Sequence, residues 1–132
     1  MLPSDPDQPN QSHSQPASHE SDRGAAEPEV LQVLTTTAQL EDAQRIAERL
    51  VADRLAACVQ IEAPIRSLYR WDNQVQDDTE YRLTAKTTRD RFPTLCACLE
   101  EIHPYDVPEI IATLVIAGSP AYLQWVAEQV SE

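Results

Sequence analysis

Beyond residue 28 the chain alternates two kinds of hydrophobic pattern. Short runs of branched residues are followed by stretches whose apolar positions recur every three or four residues. Glu29-Val-Leu-Gln-Val-Leu-Thr-Thr36 has the first pattern and predicts a buried strand. From Leu40 to Leu55 the apolar positions Leu40, Ala43, Ile46, Ala47, Leu50 and Val51 give one buried face of a helix. Thr37 is the expected N-cap, with Glu41 and Asp42 in the first turn. Ala56–Ile61 predicts a second strand that Pro64 interrupts, as at an edge or bulge. Ile65–Trp71 resumes extended backbone, Asp72-Asn73 is a turn, and Val75 begins the return. In Glu80–Lys86, strict alternation puts Tyr81, Leu83 and Ala85 on one face, and Glu80, Arg82, Thr84 and Lys86 on the other. A second helix is expected over residues 89–102, with Pro93 in its first turn and His103-Pro104 ending it. Glu109–Ile116 reads as another buried strand. Ala121–Val130 closes the chain as a helix capped by Ser119.

The resulting order is two strand–helix–strand halves joined by a hairpin, an α+β arrangement of the ferredoxin-like, split βαβ kind. Both helices of such a fold lie on one side of its four-stranded sheet. The other side then needs cover, and a second copy of the chain is the simplest. The long hairpin offers an edge for that contact.

Residues 1–28 differ in kind. They hold five of the ten prolines and none of the seven aromatic residues, so they are expected to remain a disordered acidic tail before a domain at 29–132. The tail has no apolar core for a secretory signal and is too acidic for a mitochondrial transit peptide. His13 and His19 read as solvated side chains rather than metal ligands. The net charge of −12 argues against nucleic-acid and anionic-membrane partners. The two glycines, Gly24 and Gly118, exclude a glycine-rich phosphate loop. Three cysteines make no disulfide framework and suit a reducing compartment. No Ser-His-Asp or Cys-His arrangement for nucleophilic catalysis is recognisable, and no enzyme is expected.

Several strings, in order and at their spacing, resemble the CutA family of divalent-cation tolerance proteins. They are Thr35-Thr-Thr37, Arg54-Leu-Ala-Ala-Cys-Val59, Ser67-Leu-Tyr-Arg-Trp71, Lys86-Thr-Thr88, His103-Pro-Tyr-Asp-Val-Pro-Glu109 and Gly118-Ser-Pro-Ala-Tyr-Leu-Gln-Trp125. The resemblance covers about residues 30–130. The resemblance implies a ferredoxin-like homotrimer of PII-like architecture in the cytoplasm. It also implies a link to copper and other divalent metal ions, and no established catalytic reaction.

Copper favours thiolate and imidazole donors, and the domain offers Cys58, Cys96, Cys98 and His103. Cys96 and Cys98 lie two apart on a helix and point about 200° apart, so they do not chelate one ion together. Some family members carry a cysteine where Thr35 stands and a histidine where Ile102 stands; this chain has neither. His103 and Cys98 are the candidate metal ligands, for Cu²⁺ or another divalent ion. Against this stand two plainer roles: Cys98 as a small core residue, and His103 as a donor to the last carbonyls of its helix. A second constellation comprises Tyr69, Arg70, Trp71, Lys86, Tyr105, Glu109 and Trp125. Its rings and opposite charges suit a cleft for a small anionic ligand between subunits, and equally suit subunit packing. The first alternative is a PII-like sensor that signals through a protein partner yet to be identified.

Overall fold

The computed structural model describes residues 27–131. The expected disorder of the tail, and His13 and His19 with it, falls almost wholly outside that range. The described residues form β1 (Val30–Thr37), α1 (Leu40–Ala52), β2 (Cys58–Ile61), β3 (Ile65–Trp71), β4 (Gln74–Thr88), α2 (Phe92–Ile102), β5 (Ile111–Leu114) and α3 (Pro120–Val130). All the strand pairs are antiparallel. The sheet runs β2-β4-β1-β5, with β3 also pairing β4. Taking β2 and β3 as one strand broken at Pro64, this is the ferredoxin-like order.

The spine is β4. Its second half pairs β1 on one side, from Tyr81 opposite Thr37 to Thr88 opposite Val30, and β2 on the other. Its first half pairs only β3 and projects as a hairpin. At the tip, Asp72 and Asn73 have φ of 55° and 61°. Two consecutive left-handed residues make the two-residue turn that matches strand twist, and Asp and Asn tolerate that conformation best after glycine.

Leu31 and Val33 of β1 and Leu83 and Ala85 of β4 face Ala43, Ile46 and Leu50 of α1 and Leu95, Cys98 and Leu99 of α2. The alternation and the helical spacing thus meet in one core. Helix α1 ends where the chain needs a sharp turn. Arg54 takes φ 56°, its N–H bonds the Val51 carbonyl, and the Leu55 N–H bonds the Leu50 carbonyl at 2.9 Å. This pair of bonds, with Leu50 and Leu55 both in the core, is the Schellman end of a helix.

Four expectations need correction. Thr37 closes β1 rather than capping α1: its hydroxyl donates to the Gln39 carbonyl at 2.9 Å, and Gln39 is the N-cap without a side-chain bond. Arg89–Arg91 form a turn, so α2 starts at Phe92. The strand expected over 109–116 shrinks to Ile111–Leu114 and is exposed, because it is an edge that neither α1 nor α2 covers in one chain. The sheet face away from α1 and α2 is not wholly bare, since Leu123 and Val126 of α3 pack on Val30 and Val115 at one end of it. Ser119 caps α3 as expected, accepting from the Tyr122 N–H at 3.4 Å.

Candidate functional site

The sheet face away from α1 and α2 carries Cys58, Gln60, Glu80, Arg82, Thr84 and Lys86, which strand alternation and register place together. Most of these are half-buried and polar. Glu80 differs: it is 9% exposed. The Tyr105 hydroxyl donates to its Oε2 at 2.7 Å and the Thr36 hydroxyl to the same atom at 3.2 Å. A buried carboxylate needs such donors, because lost hydration otherwise disfavours its charge. Beside it, the Tyr69 hydroxyl donates to Asp78. Burial first, and then the bond to Glu80, pushes the Tyr105 hydroxyl well above the usual tyrosine range.

His103 joins this network. It is 8% exposed and caps the C-terminus of α2, its backbone N–H bonding the Leu99 carbonyl at 2.9 Å. Its ring does not serve the last carbonyls of the helix; it points across to the end of β1. The Tyr105 N–H donates to Nδ1 at 3.1 Å. A backbone N–H can only donate, so Nδ1 bears the lone pair and Nε2 bears the proton. Nε2–H then donates to the Thr36 carbonyl at 3.0 Å and lies 3.0 Å from Thr35 Oγ1. The three bonds are mutually consistent for a neutral ring. Burial lowers the pKa of His103 from its ordinary value, the Thr36 carbonyl opposing it. The ring also lies 4.9 Å from that of Tyr105, tilted by 56°.

The metal reading rests on His103 and Cys98. His103 keeps no lone pair for an ion while the Tyr105 N–H occupies Nδ1. Cys98 is 8% exposed and packs in the core beneath α1, where burial pushes its thiol up. Protonated thiols and engaged imidazoles are poor ligands. Among the described residues no three His, Cys, Asp or Glu side chains cluster as a metal group would. The donor set of one chain therefore does not fit a resident divalent ion.

The seven cleft residues fall into separate places. Tyr69 and Tyr105 belong to the carboxylate network just described. Lys86 Nζ donates to Gln60 Oε1 at 3.1 Å rather than pairing with Glu109, whose charge is instead felt by Arg82. Trp125 packs with Tyr122 near Val30, its ring 5.7 Å from that of Tyr122. Arg70 and Trp71 lie exposed near the hairpin tip. Trp71 pairs with Gln74, and Lys86 stands twelve residues further along β4. At roughly 3.3 Å per residue that is about 40 Å, so these two side chains do not line one pocket within a chain. A depression lined by Glu29, Thr88, Asp90, Arg91, Val130 and Ser131 contains none of the seven.

Sequence reasoning gave no role to Thr36, Asp78 and Glu80, and met Thr35 only as the position of a cysteine in some family members. Alternation put Glu80 correctly on the face opposite Tyr81, where cover was expected from a second copy and not from the same chain. Its burial comes from Tyr105, 25 positions away, and no local pattern signals that. The neighbouring Asp77 also lies within β4, where it binds Arg66 at 2.6 Å.

A family model described as CutA1 divalent ion tolerance protein matches residues 31–129. The divalent-cation tolerance protein CutA of Thermus thermophilus is 45% identical over 96 residues, which cover 73% of this chain and 93% of that one. A solved structure of a divalent cation tolerance protein from Thermus thermophilus superposes with a TM-score of 0.75 at 42% identity, covering 77% of this chain and 99% of that one. A chloroplastic protein CutA of Arabidopsis thaliana is 39% identical over 93 residues, covering 70% of this chain and 51% of the relative.

Proposed function

Because the chain belongs to the CutA1 divalent ion tolerance family, we propose that it acts, without catalysing a reaction, in the response of the cell to divalent metal ions, Cu²⁺ foremost, and does so as a homotrimer of PII-like architecture. The observation that carries the assembly is where the exposed apolar side chains lie. Leu68, Trp71 and Val75 stand on the projecting hairpin, and Ile111, Leu114 and Ile116 on or beside the open edge at β5. Unpaired edges flanked by apolar residues favour pairing with another chain. A hairpin reaching a neighbour's sheet also brings Trp71 of one copy near Lys86 of another, which a single chain does not. No long apolar helix capable of crossing a membrane occurs among the described residues. A cytoplasmic location is part of this reading, and the three free cysteines support it.

Sedimentation equilibrium at micromolar concentration is expected to give the mass of three chains. A single-chain mass would overturn the assembly and the shared cleft. Growth of cells lacking the protein on graded Cu²⁺ is expected to improve when it is restored; unchanged growth would overturn the role in tolerance.

One observation favours a second reading, a small anionic ligand at the cleft. Lys86 bonds a neutral amide, so among the described residues no carboxylate in direct contact offsets its charge. A thermal-shift screen of anionic metabolites tests it. A stabilising hit that Lys86→Ala abolishes supports the site, and no hit counts against it.

A further inference from the structure

We infer that His103 is a positioning residue, which latches the 103–110 segment against β1, and that a divalent ion takes this imidazole only when the latch is open. The inference goes beyond the proposed role in tolerance and does not depend on the trimer.

The geometry leaves little choice. One ring spans two elements far apart in sequence. Nε2–H grips the end of β1 at the Thr36 carbonyl, and Nδ1 holds the backbone of Tyr105. Tyr105 in turn reaches Glu80 of β4 through its hydroxyl. The chain β1–His103–Tyr105–Glu80–Thr36 is therefore a closed ring of bonds, because Thr36 also donates to Glu80. Opening it at His103 releases the aim of Tyr105 and removes one donor from a buried carboxylate.

Metal coordination and the latch use the same electrons. Ligation at Nδ1 displaces the Tyr105 N–H. Ligation at Nε2 requires its proton to leave and turns the Thr36 carbonyl, an acceptor, against the metal-bound edge of the ring. Either way the ion competes with the fold at this position. The side chains around the ring, Asp42 and Arg45 of α1 and Glu80 of β4, supply charge. Glu80, however, is already engaged by two hydroxyls, and Arg45 binds Asp42 at 3.2 Å.

The test uses the full chain with its histidines labelled with ¹⁵N. The three rings, His13, His19 and His103, are assigned by single substitution. At neutral pH the long-range ¹H–¹⁵N spectrum is expected to show His103 as the Nε2–H tautomer alone. One equivalent of Cu²⁺ per chain, added to this sample, is expected to leave the His103 signals sharp. An Nδ1–H or averaged tautomer would overturn the bonding. Loss of the His103 signals at one equivalent would overturn the exclusion of metal.

The positioning role has its own readout in paired variants. His103→Asn keeps an acceptor near the Nδ1 position, and His103→Gln keeps a donor near the Nε2 position. Each is expected to melt above His103→Ala. Equal melting of all three would count against bonding as the role of the ring. Because the wild-type spectrum stands alone, a variant that fails to fold leaves the inference testable.

Discussion

Replacing Tyr105 by phenylalanine removes one hydroxyl and leaves the ring in place beside His103. The lost group donates to Glu80 Oε2 at 2.7 Å, and Glu80 is 9% exposed, so water does not readily take its place. A hydrogen bond to a charged acceptor contributes about 1.5–3 kcal/mol. Thr36 still donates at 3.2 Å, which puts the expected loss at the lower end, about 1.5 kcal/mol. For a folded unit of roughly 100 residues this lowers the melting temperature by about 6–12 °C. Circular dichroism melts at one fixed chain concentration measure it, because association makes the midpoint concentration-dependent. Tyr69→Phe is the control. Its hydroxyl also meets a carboxylate, but both partners are exposed, so the melting temperature is expected to fall less than in Tyr105→Phe. The pH dependence is a second check. Folded Tyr105 holds its proton more tightly than the unfolded chain does. Its contribution is thus complete below the ordinary tyrosine value near 10 and is lost as pH rises beyond it. Tyr105→Phe is expected to flatten part of that alkaline decline. A variant melting within about 2 °C of wild type, with an unchanged alkaline slope, would refute the claim that this bond supports the buried carboxylate.

Three further outcomes are expected. Leu99, fully buried between α1 and the sheet, is expected to cost about 2–5 kcal/mol when replaced by alanine, read from urea unfolding. Asn73→Gly, at φ 61°, is expected to stabilise the hairpin by a few tenths to about 1 kcal/mol, since glycine enters the left-handed region without a Cβ penalty; a lowered urea midpoint would contradict the turn assignment. Burial depresses His103 below its unfolded value, so its contribution is present above about pH 6.5 and is lost as pH falls through the folded value; acid titration of stability is expected to flatten in His103→Gln.

What the sequence made legible was whatever repeats with a period. Leu31 and Val33, the Ala43–Ile46–Leu50 stripe, and Leu83 with Ala85 announce which faces meet, and they do meet. The turn at Asp72-Asn73 and the cap at Ser119 were equally plain, because each is local chemistry. The exposed edge at β5 was not: Ile and Val in and around Ile111–Leu114 look the same whether a helix or another chain covers them. The candidate site was legible as residue types and not as geometry. Tyr69 and Tyr105 share a neighbourhood within one chain. Trp71 and Lys86 of the same chain do not, because the length of strand between them is invisible in a set of conspicuous residues. His103 was recognised as conspicuous, but its bonds to Thr35, Thr36 and Tyr105 depend on the tertiary meeting of β1 with the end of α2.

The uninterrupted run of β4 makes it a stiff lever arm. Fifteen residues of paired backbone extend about 50 Å, and neither proline nor glycine interrupts them. Only β3 braces its first half, so the tip near Trp71 is held to the rest of the sheet through the stretch around Glu80. A small change of twist at mid-strand, near Glu80, would swing the tip through several ångströms, so the buried carboxylate sits at the fulcrum.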